Sequence, residues 1–323
     1  MKPVRFFIKC ILAALPAIAL IAFTLLCPLC YMDEEYPAWR HAKMTAAGKL
    51  YEGKSFDTVI LGDSGAMSSI KPELIKEDAV NLAVGGATSI EMYYFFSQYL
   101  LTHDKPDTVV IMFAPFHYWH IDNYEKRTVY FKAIPVSALT ELYGNAKKCE
   151  ASSVIYDGFE TGELSARLGL PSKYLPAITA ARFTGRYDRN KEAFDELVRS
   201  GGYGRFGELE QCYDPSYETS YEDMTIDGDA RLITLYLQKL LRLCDENNIR
   251  VRLIQPAVNT ETYEGLNEHY YGSYRNYIKQ AVSVCSDIEY EDSLRVYDGK
   301  YFADTSHLNE AGADKFTKEV FGP

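Results

Sequence analysis

The first 32 residues contain no Asp or Glu, and from there on Lys and Arg are in short supply. Once Lys2, Arg5 and Lys9 are set aside, 31 basic residues face 45 acidic ones, a net charge of −14. A domain of that sign is repelled by phosphate backbones, which excludes nucleic acid as a partner, and an anionic membrane surface attracts it no better. Low-complexity tracts and internal repeats are also missing. A chain of 323 residues with 47% apolar content is therefore expected to form one large domain, or one domain with an insertion. Cysteines at zinc spacing are absent as well. Cys10, Cys27 and Cys30 lie in an apolar N-terminal run, and Cys149, Cys212, Cys244 and Cys285 lie beyond it, where three disulfide pairings are open. Cys27-Pro28-Leu29-Cys30 has redox spacing but follows no strand, so no redox role is assigned. No cofactor is expected.

What is present begins at the N-terminus. Lys2, Arg5 and Lys9 precede an apolar run from Cys10 to Tyr31, interrupted only by Pro16, Thr24 and Pro28. The run is long enough to cross a bilayer, and its basic flank lies on the N-terminal side. The expected layout is a cytoplasmic basic segment 1–9, a transmembrane anchor 10–31, a juxtamembrane linker 32–56 with helical character around Ala38–Leu50, and an extracytoplasmic domain 57–323. A cleaved signal peptide competes with this reading, but no small-x-small site follows the run. Bulky Leu26 and Leu29 likewise oppose lipoprotein processing at Cys27 or Cys30. The 26 tyrosines suit core packing for the most part, with a sugar-facing surface as the alternative.

Thr58-Val59-Ile60-Leu61 runs into a Gly62-Asp63-Ser64 corner, the pattern of a buried parallel strand that stops where the backbone bends. A second short strand is expected at Ala79–Val84, a helix at Ile90–Leu101 and a third strand at Thr108–Ala114, closed by Pro115. Strand, helix and strand at this pitch predict right-handed crossovers and a parallel sheet. From about 116 to 226 the pattern lapses into two helices, Ser137–Cys149 and Lys191–Ser200, and a Tyr- and Gly-rich stretch. This is too long for a loop and is read as a mainly helical or irregular insertion that caps or flanks a site. A helix over Asp229–Asn247 carries an apolar stripe of Leu232, Leu235, Tyr236, Leu240 and Leu243. Then come strand Val251–Gln255, helix Tyr270–Val284, a short strand at Asp287–Tyr290 and a last helix capped by Asn309. The fold class expected is α/β: a doubly wound, flavodoxin-like parallel sheet of about five strands with helices on both faces.

Such sheets place ligands at the carboxyl ends of their strands, where Ser64 stands. A nucleophilic serine needs a base to take its proton and a third group to hold that base. Asp304-Thr305-Ser306-His307 offers both, with His307 as base and Asp304 curling beneath the imidazole. The backbone N–H groups of Ser64 and Gly86 would receive an oxyanion. Gly-Asp-Ser and Asp-x-x-His are each weak signals, and their order along the chain is what discriminates. Ser64 follows the first strand, Asn81-Leu82-Ala83-Val84-Gly85-Gly86-Ala87-Thr88-Ser89 follows the second, and Asp304 and His307 precede the last helix. The three blocks resemble those of the SGNH/GDSL hydrolase family, with Gly86 on the glycine position of the second block.

In many members of that family the block after the third strand is Gly-x-Asn-Asp, whose Asn is a third oxyanion donor. Here the strand ends Phe113-Ala114-Pro115-Phe116-His117-Tyr118-Trp119-His120, with no Asn at that place. This form resembles the membrane-anchored branch that holds the D-alanine transfer protein of teichoic acid synthesis and the alginate-type polysaccharide O-acetylation proteins. The resemblance implies a serine acyltransferase or esterase that adds or removes O-acetyl groups on cell-envelope polysaccharide through acyl-Ser64. D-alanyl transfer to teichoic acid, and a non-catalytic docking role beside a membrane-bound O-acyltransferase, remain as alternatives. Asp63 and His117 join Gly86 as oxyanion or binding residues. His117-x-x-His120 lacks carboxylates at ligand spacing, so pocket lining is preferred over metal. Phe116, Tyr118 and Trp119 either stack on a sugar or are buried. Gly202-Tyr203-Gly204-Arg205-Phe206-Gly207 matches a dinucleotide fingerprint in form, but it follows a helix and is read as a mobile loop.

Overall fold

Successive side chains of a strand point to opposite faces, so a strand buried on both sides must be apolar throughout. In β1 (Thr58–Gly62), Val59 and Leu61 enter one core while Ile60 enters another. In β3 (Thr108–Met112), Val109 and Ile111 join the first core, and Val110 and Met112 the second. The computed structural model describes residues 2–26, 33–122, 124–160, 185–205, 211–212, 215–218, 221 and 224–322. Within it these strands combine with β2 (Ala79–Asn81), β4 (Arg250–Leu253) and, further on, Ile288–Tyr290. Val258–Asn259 is β5, Ile288–Tyr290 is β6 and Val296–Tyr297 is β7. All pairings are parallel, in the order β2-β1-β3-β4-β6, with β5 and β7 as a separate two-stranded ladder. The chain leaves β1 for one side and returns through β3 on the other, which opens a crevice at the carboxyl ends of these two strands.

Helices cover both faces. The first core takes side chains from α2 (Tyr36–Ala46), α4 (Ser89–Tyr99), α5 (Val136–Cys149) and α7 (Gly228–Glu246). The second is closed by α3 (Ser64–Ser69) and α10 (Glu310–Phe321), through Ala66, Met67, Phe316 and Val320. Three caps fix where these helices begin. Thr88 Oγ1 accepts from Ile90 N at 3.2 Å while Glu91 Oε2 accepts from Thr88 N at 2.8 Å. Asp227 accepts from Ala230 N at 3.0 Å, and Asn309 from Gly312 N at 3.0 Å. The stripe of α7 is rotated from the expected one. Leu232, Ile233, Tyr236, Leu237, Leu240 and Leu241 are fully buried, and Leu235 and Leu243 fall at its edge. Both sides of that helix have neighbours, because α4 packs on one flank and α9 (Glu268–Val282) on another.

Two segments differ from expectation in a way that matters for the site. Residues 32–56, read as a linker with helical character around Ala38–Leu50, do form α2, but its Trp39, Ala42 and Ala46 are buried in the first core. α2 also packs against α6 (Arg186–Arg199), which belongs to the insertion. Residues 201–205, read as part of a mobile loop, lie instead against the edge strand. Asn81 N donates to Gly201 O at 2.8 Å, and a Cβ on Gly202 (φ +99°) would stand 2.0 Å from Asn81 O. The backbone approach is too close for any side chain, which is why glycines occur there.

At the N-terminus, α1 (Lys2–Leu26) leaves Phe6, Phe7, Ile11, Leu12, Leu15 and Ile18 exposed. Among the described residues no helix is long and apolar enough to cross a membrane, and residues 27–31 of the expected anchor lie outside them. Cys10, Cys149, Cys212, Cys244 and Cys285 are free thiols, and Cys27 and Cys30 lie outside the described residues.

Candidate active site

β1 ends at Gly62 because nothing larger fits: a Cβ there would lie 2.0 Å from Met112 O and 2.6 Å from Ala66 Cβ. Asp63 follows in extended conformation and caps α3, its Oδ1 accepting from Gly65 N at 2.8 Å. Ser64 therefore starts a helix at the carboxyl edge of the sheet. Its Oγ lies 2.8 Å from His307 Nε2. On the other side of the ring, Nδ1 lies 2.9 Å from Asp304 Oδ2 and 3.1 Å from Oδ1. Asp304 Oδ1 also accepts from the N–H groups of Ser306 (2.9 Å) and His307 (2.7 Å), so the loop is wound about its carboxylate. Burial opposes the Asp304 charge, but the hydrogen bonds and charge of His307, with those N–H groups, hold its carboxyl below the usual carboxylate range. With Nδ1–H donating to Asp304, Nε2 carries the lone pair that faces Ser64. This is the arrangement a hydroxyl needs in order to be deprotonated as it attacks.

A second carboxylate–imidazole pair stands on the opposite flank of Ser64. Asp63 Oδ2 accepts from Ala114 N at 2.7 Å and from His117 Nδ1 at 2.6 Å. The Asp63 carboxylate is fully buried. Burial alone would raise its pKa, but the His117 hydrogen bond and charge, with the Ala114 and Gly65 N–H groups, outweigh it and lower it. One side chain thus caps α3 and ties the end of β1 to the turn Pro115–Tyr118 beyond β3.

The second block sits beside the same corner. Asn81 donates to Ala66 O and Ile70 O at 3.0 and 3.2 Å and accepts from Ala83 N at 3.0 Å, which fastens that block to α3. Gly86 adopts φ +68°, and a Cβ there would meet Arg127 Nη1 at 2.2 Å. It is the adjacent Gly85 that faces the serine, its Cβ position lying 4.0 Å from Ser64 Cβ. The Arg127 guanidinium above Gly86 is gripped by Glu35 at 2.6 and 2.7 Å and also bonds Asp122.

Ser64, His117 and His307 share a cleft of about 200 Å³. Phe116 lines it too, whereas Tyr118 and Trp119 are buried, so only one of the three aromatics is placed to touch a ligand there. His120 is exposed and its ring lies against Phe116 with centroids 4.4 Å apart. Among the described residues no group of three His, Cys, Asp or Glu side chains is placed to hold a metal ion. The insertion contributes Asp122, Glu218 and Tyr221 to the cleft, and Asn259 and Thr262 add to its polar wall. None of these five stood out in the sequence. Asn259 had a usable signal as a helix cap: it accepts from Thr262 N at 2.7 Å at the start of α8 (Thr260–Glu264). Its amide donates to Ser216 O and Thr305 O, which braces the His307 loop. Set against models of known protein families and against curated protein sequences, the chain matches none.

Proposed function

We propose that the chain is a membrane-anchored serine acyltransferase or esterase of the SGNH type, working outside the cytoplasm on cell-envelope polysaccharide. The observation that carries this reading is the Ser64–His307–Asp304 relay at the rim of a cleft on the carboxyl edge of a parallel sheet. Ser64 Oγ bonds to the carbonyl carbon of an acyl donor while its proton passes to His307 Nε2. The donor's C–O bond then breaks, the leaving alcohol takes that proton, and acyl-Ser64 remains. A polysaccharide hydroxyl, or water, next gives its proton to His307 and bonds to the acyl carbon, the Ser64 Oγ–acyl bond breaks, and Oγ takes the proton back from His307. Asp304 steadies the imidazolium in both halves. The exposed apolar side chains of α1, behind Lys2, Arg5 and Lys9, support an anchor over 10–31 with residues 1–9 in the cytoplasm.

O-acetyl transfer or removal is the leading reaction. A second reading, D-alanyl transfer to teichoic acid, draws support from Asp122 and Glu218 in the cleft wall, since carboxylates attract the ammonium of an aminoacyl group. A membrane-bound O-acyltransferase is the partner either reaction calls for. The test treats the full chain and Ser64→Ala with a fluorophosphonate probe and p-nitrophenyl acetate, followed by intact mass. One label per wild-type chain, lost in the variant, is the expected result. A folded wild type that takes no label, with envelope acylation unchanged in cells carrying Ser64→Ala, would replace the enzyme by a docking module.

A further inference from the structure

We propose that His117, held as an imidazolium by Asp63, turns its second ring N–H to the cleft and is the oxyanion donor that the segment after β3 does not supply as an asparagine. The proposal rests on the acyl-transfer reading of Ser64.

Three observations carry it. First, the Asp63 carboxylate is fully buried, and its partners are Gly65 N, Ala114 N and His117 Nδ1. Of these only the imidazole can bring a positive charge, and buried carboxylates persist when they are both hydrogen-bonded and paired. The 2.6 Å contact has the short length of a charge-assisted bond. Second, Nδ1 is committed to Asp63, so the polar atom left to the ring is Nε2, and His117 lines the same cleft as Ser64 and His307. A neutral ring would offer that cleft a lone pair, which repels a developing oxyanion, whereas an imidazolium offers it an N–H.

Third, the surrounding charges favour the cation. Asp63 comes from the end of β1, Asp122 from beyond the Pro115–Tyr118 turn, Glu218 from the insertion, and His307 with Asp304 from the C-terminal loop. Arg127, which pairs with the cleft residue Asp122, is also held by Glu35. Tyr118, next to His117 in the chain, is kept neutral by burial and adds no charge. The two histidines thus work in opposite protonation states. His307 must be neutral to accept the Ser64 proton, and His117 must be charged to stabilise the oxyanion.

The test measures kcat and KM for p-nitrophenyl acetate between about pH 5 and pH 9 on the full chain in detergent, with fluorophosphonate labelling of Ser64 in parallel. Wild type should give a bell-shaped profile, with an acid limb from the Ser64 relay and an alkaline limb from loss of the cleft-facing N–H. His117→Ala should lose about 10²–10³-fold in kcat with KM changed little. Because that variant strands a buried carboxylate, His117→Gln serves as the second variant: its amide can donate to Asp63 with one hydrogen and into the cleft with the other. It should recover at least about tenfold over alanine and, having no titrating ring, should lose the alkaline limb. An alkaline limb unchanged in His117→Gln, or a folded His117→Ala with wild-type kcat, would overturn the proposal. If wild-type Ser64 neither labels nor turns over substrate, the acyl-transfer reading fails first and this inference falls with it.

Discussion

His41 offers a direct test of how α2 is built into the domain. It lies on the buried face of that helix with Nε2 2.9 Å from Tyr51 Oη, and the single Tyr51 hydroxyl hydrogen goes to Val198 O at 2.9 Å. The imidazole must therefore donate from Nε2 and keep Nδ1 unprotonated. Burial lowers its pKa from 6.5 to about 4. The unfolded chain takes up a proton near pH 6.5 that the folded chain refuses until about pH 4, so the stability tied to this group is complete above the first value. It is lost as pH falls toward the second. At about 1.4 kcal/mol per pH unit, the loss is about 2 kcal/mol between pH 7.5 and 5 and about 3 kcal/mol by pH 4. Asp63 and Asp304 also lose stability on acidification, but their lowered pKa values put that loss below the ordinary carboxylate range, under this window. The assay is urea unfolding at pH 7.5 and 5 of a chain beginning at Asp33, beside its His41→Gln variant, whose amide can still donate to Tyr51. Wild type should lose about 2 kcal/mol more than the variant on acidification. Equal losses would refute the buried neutral imidazole and, with it, the docking of α2.

Two further substitutions separate the site from its support. Asp304→Asn can still accept the Ser306 and His307 N–H groups but no longer fixes the His307 tautomer. Its kcat on p-nitrophenyl acetate should fall about 10³–10⁴-fold with the melting temperature nearly unchanged, and wild-type turnover would remove Asp304 from the relay. Gly202→Ala should destabilise the fold by at least about 2 kcal/mol, because it adds a Cβ at positive φ against the Asn81 carbonyl. Thermal melting checks this, and a wild-type transition would mean that residues 201–205 do not lie on β2.

The middle of the sheet was legible because β1 and β3 are buried on two sides, so Val59-Ile60-Leu61 and Val109-Val110-Ile111 are apolar without a gap. The stops of β1 and β3 were legible because Gly62 and Pro115 are residues that end strands for backbone reasons. The second strand was read too long for an equally local reason. Leu82 N and Val84 N still bond Ile60 O and Gly62 O, but Asn81 takes Ala83 N with its side chain and interrupts the ladder. What periodicity could not carry was the partnership of α2 with α6, more than a hundred residues apart, or the clamp of Glu35 on Arg127. Neither leaves a local pattern, since a surface-like Tyr36-Pro37-Ala38-Trp39 segment becomes core only once the insertion covers it.

The site divides along the same line. Ser64, Asp304 and His307 could be named because each sits in a short motif at a strand end or helix start, and those ends converge in any sheet of this order. The contact between Asp63 and His117 could not, because it requires the corner after β1 to meet the turn after β3. Only the pairing of these two strands side by side decides that. That contact also changes what the Gly-Asp-Ser corner is for. An Asp before a helix is ordinarily explained by capping, and Asp63 Oδ1 does cap α3. Capping uses one oxygen, and a serine or asparagine would do it as well. The second oxygen, turned to Ala114 N and His117, is what demands a full carboxylate. The position of Ser64 and the orientation of His117 thus depend on a single buried charge. A change at residue 63 disturbs both Ser64 and His117, while a change at 304 is confined to the loop that carries Ser306 and His307.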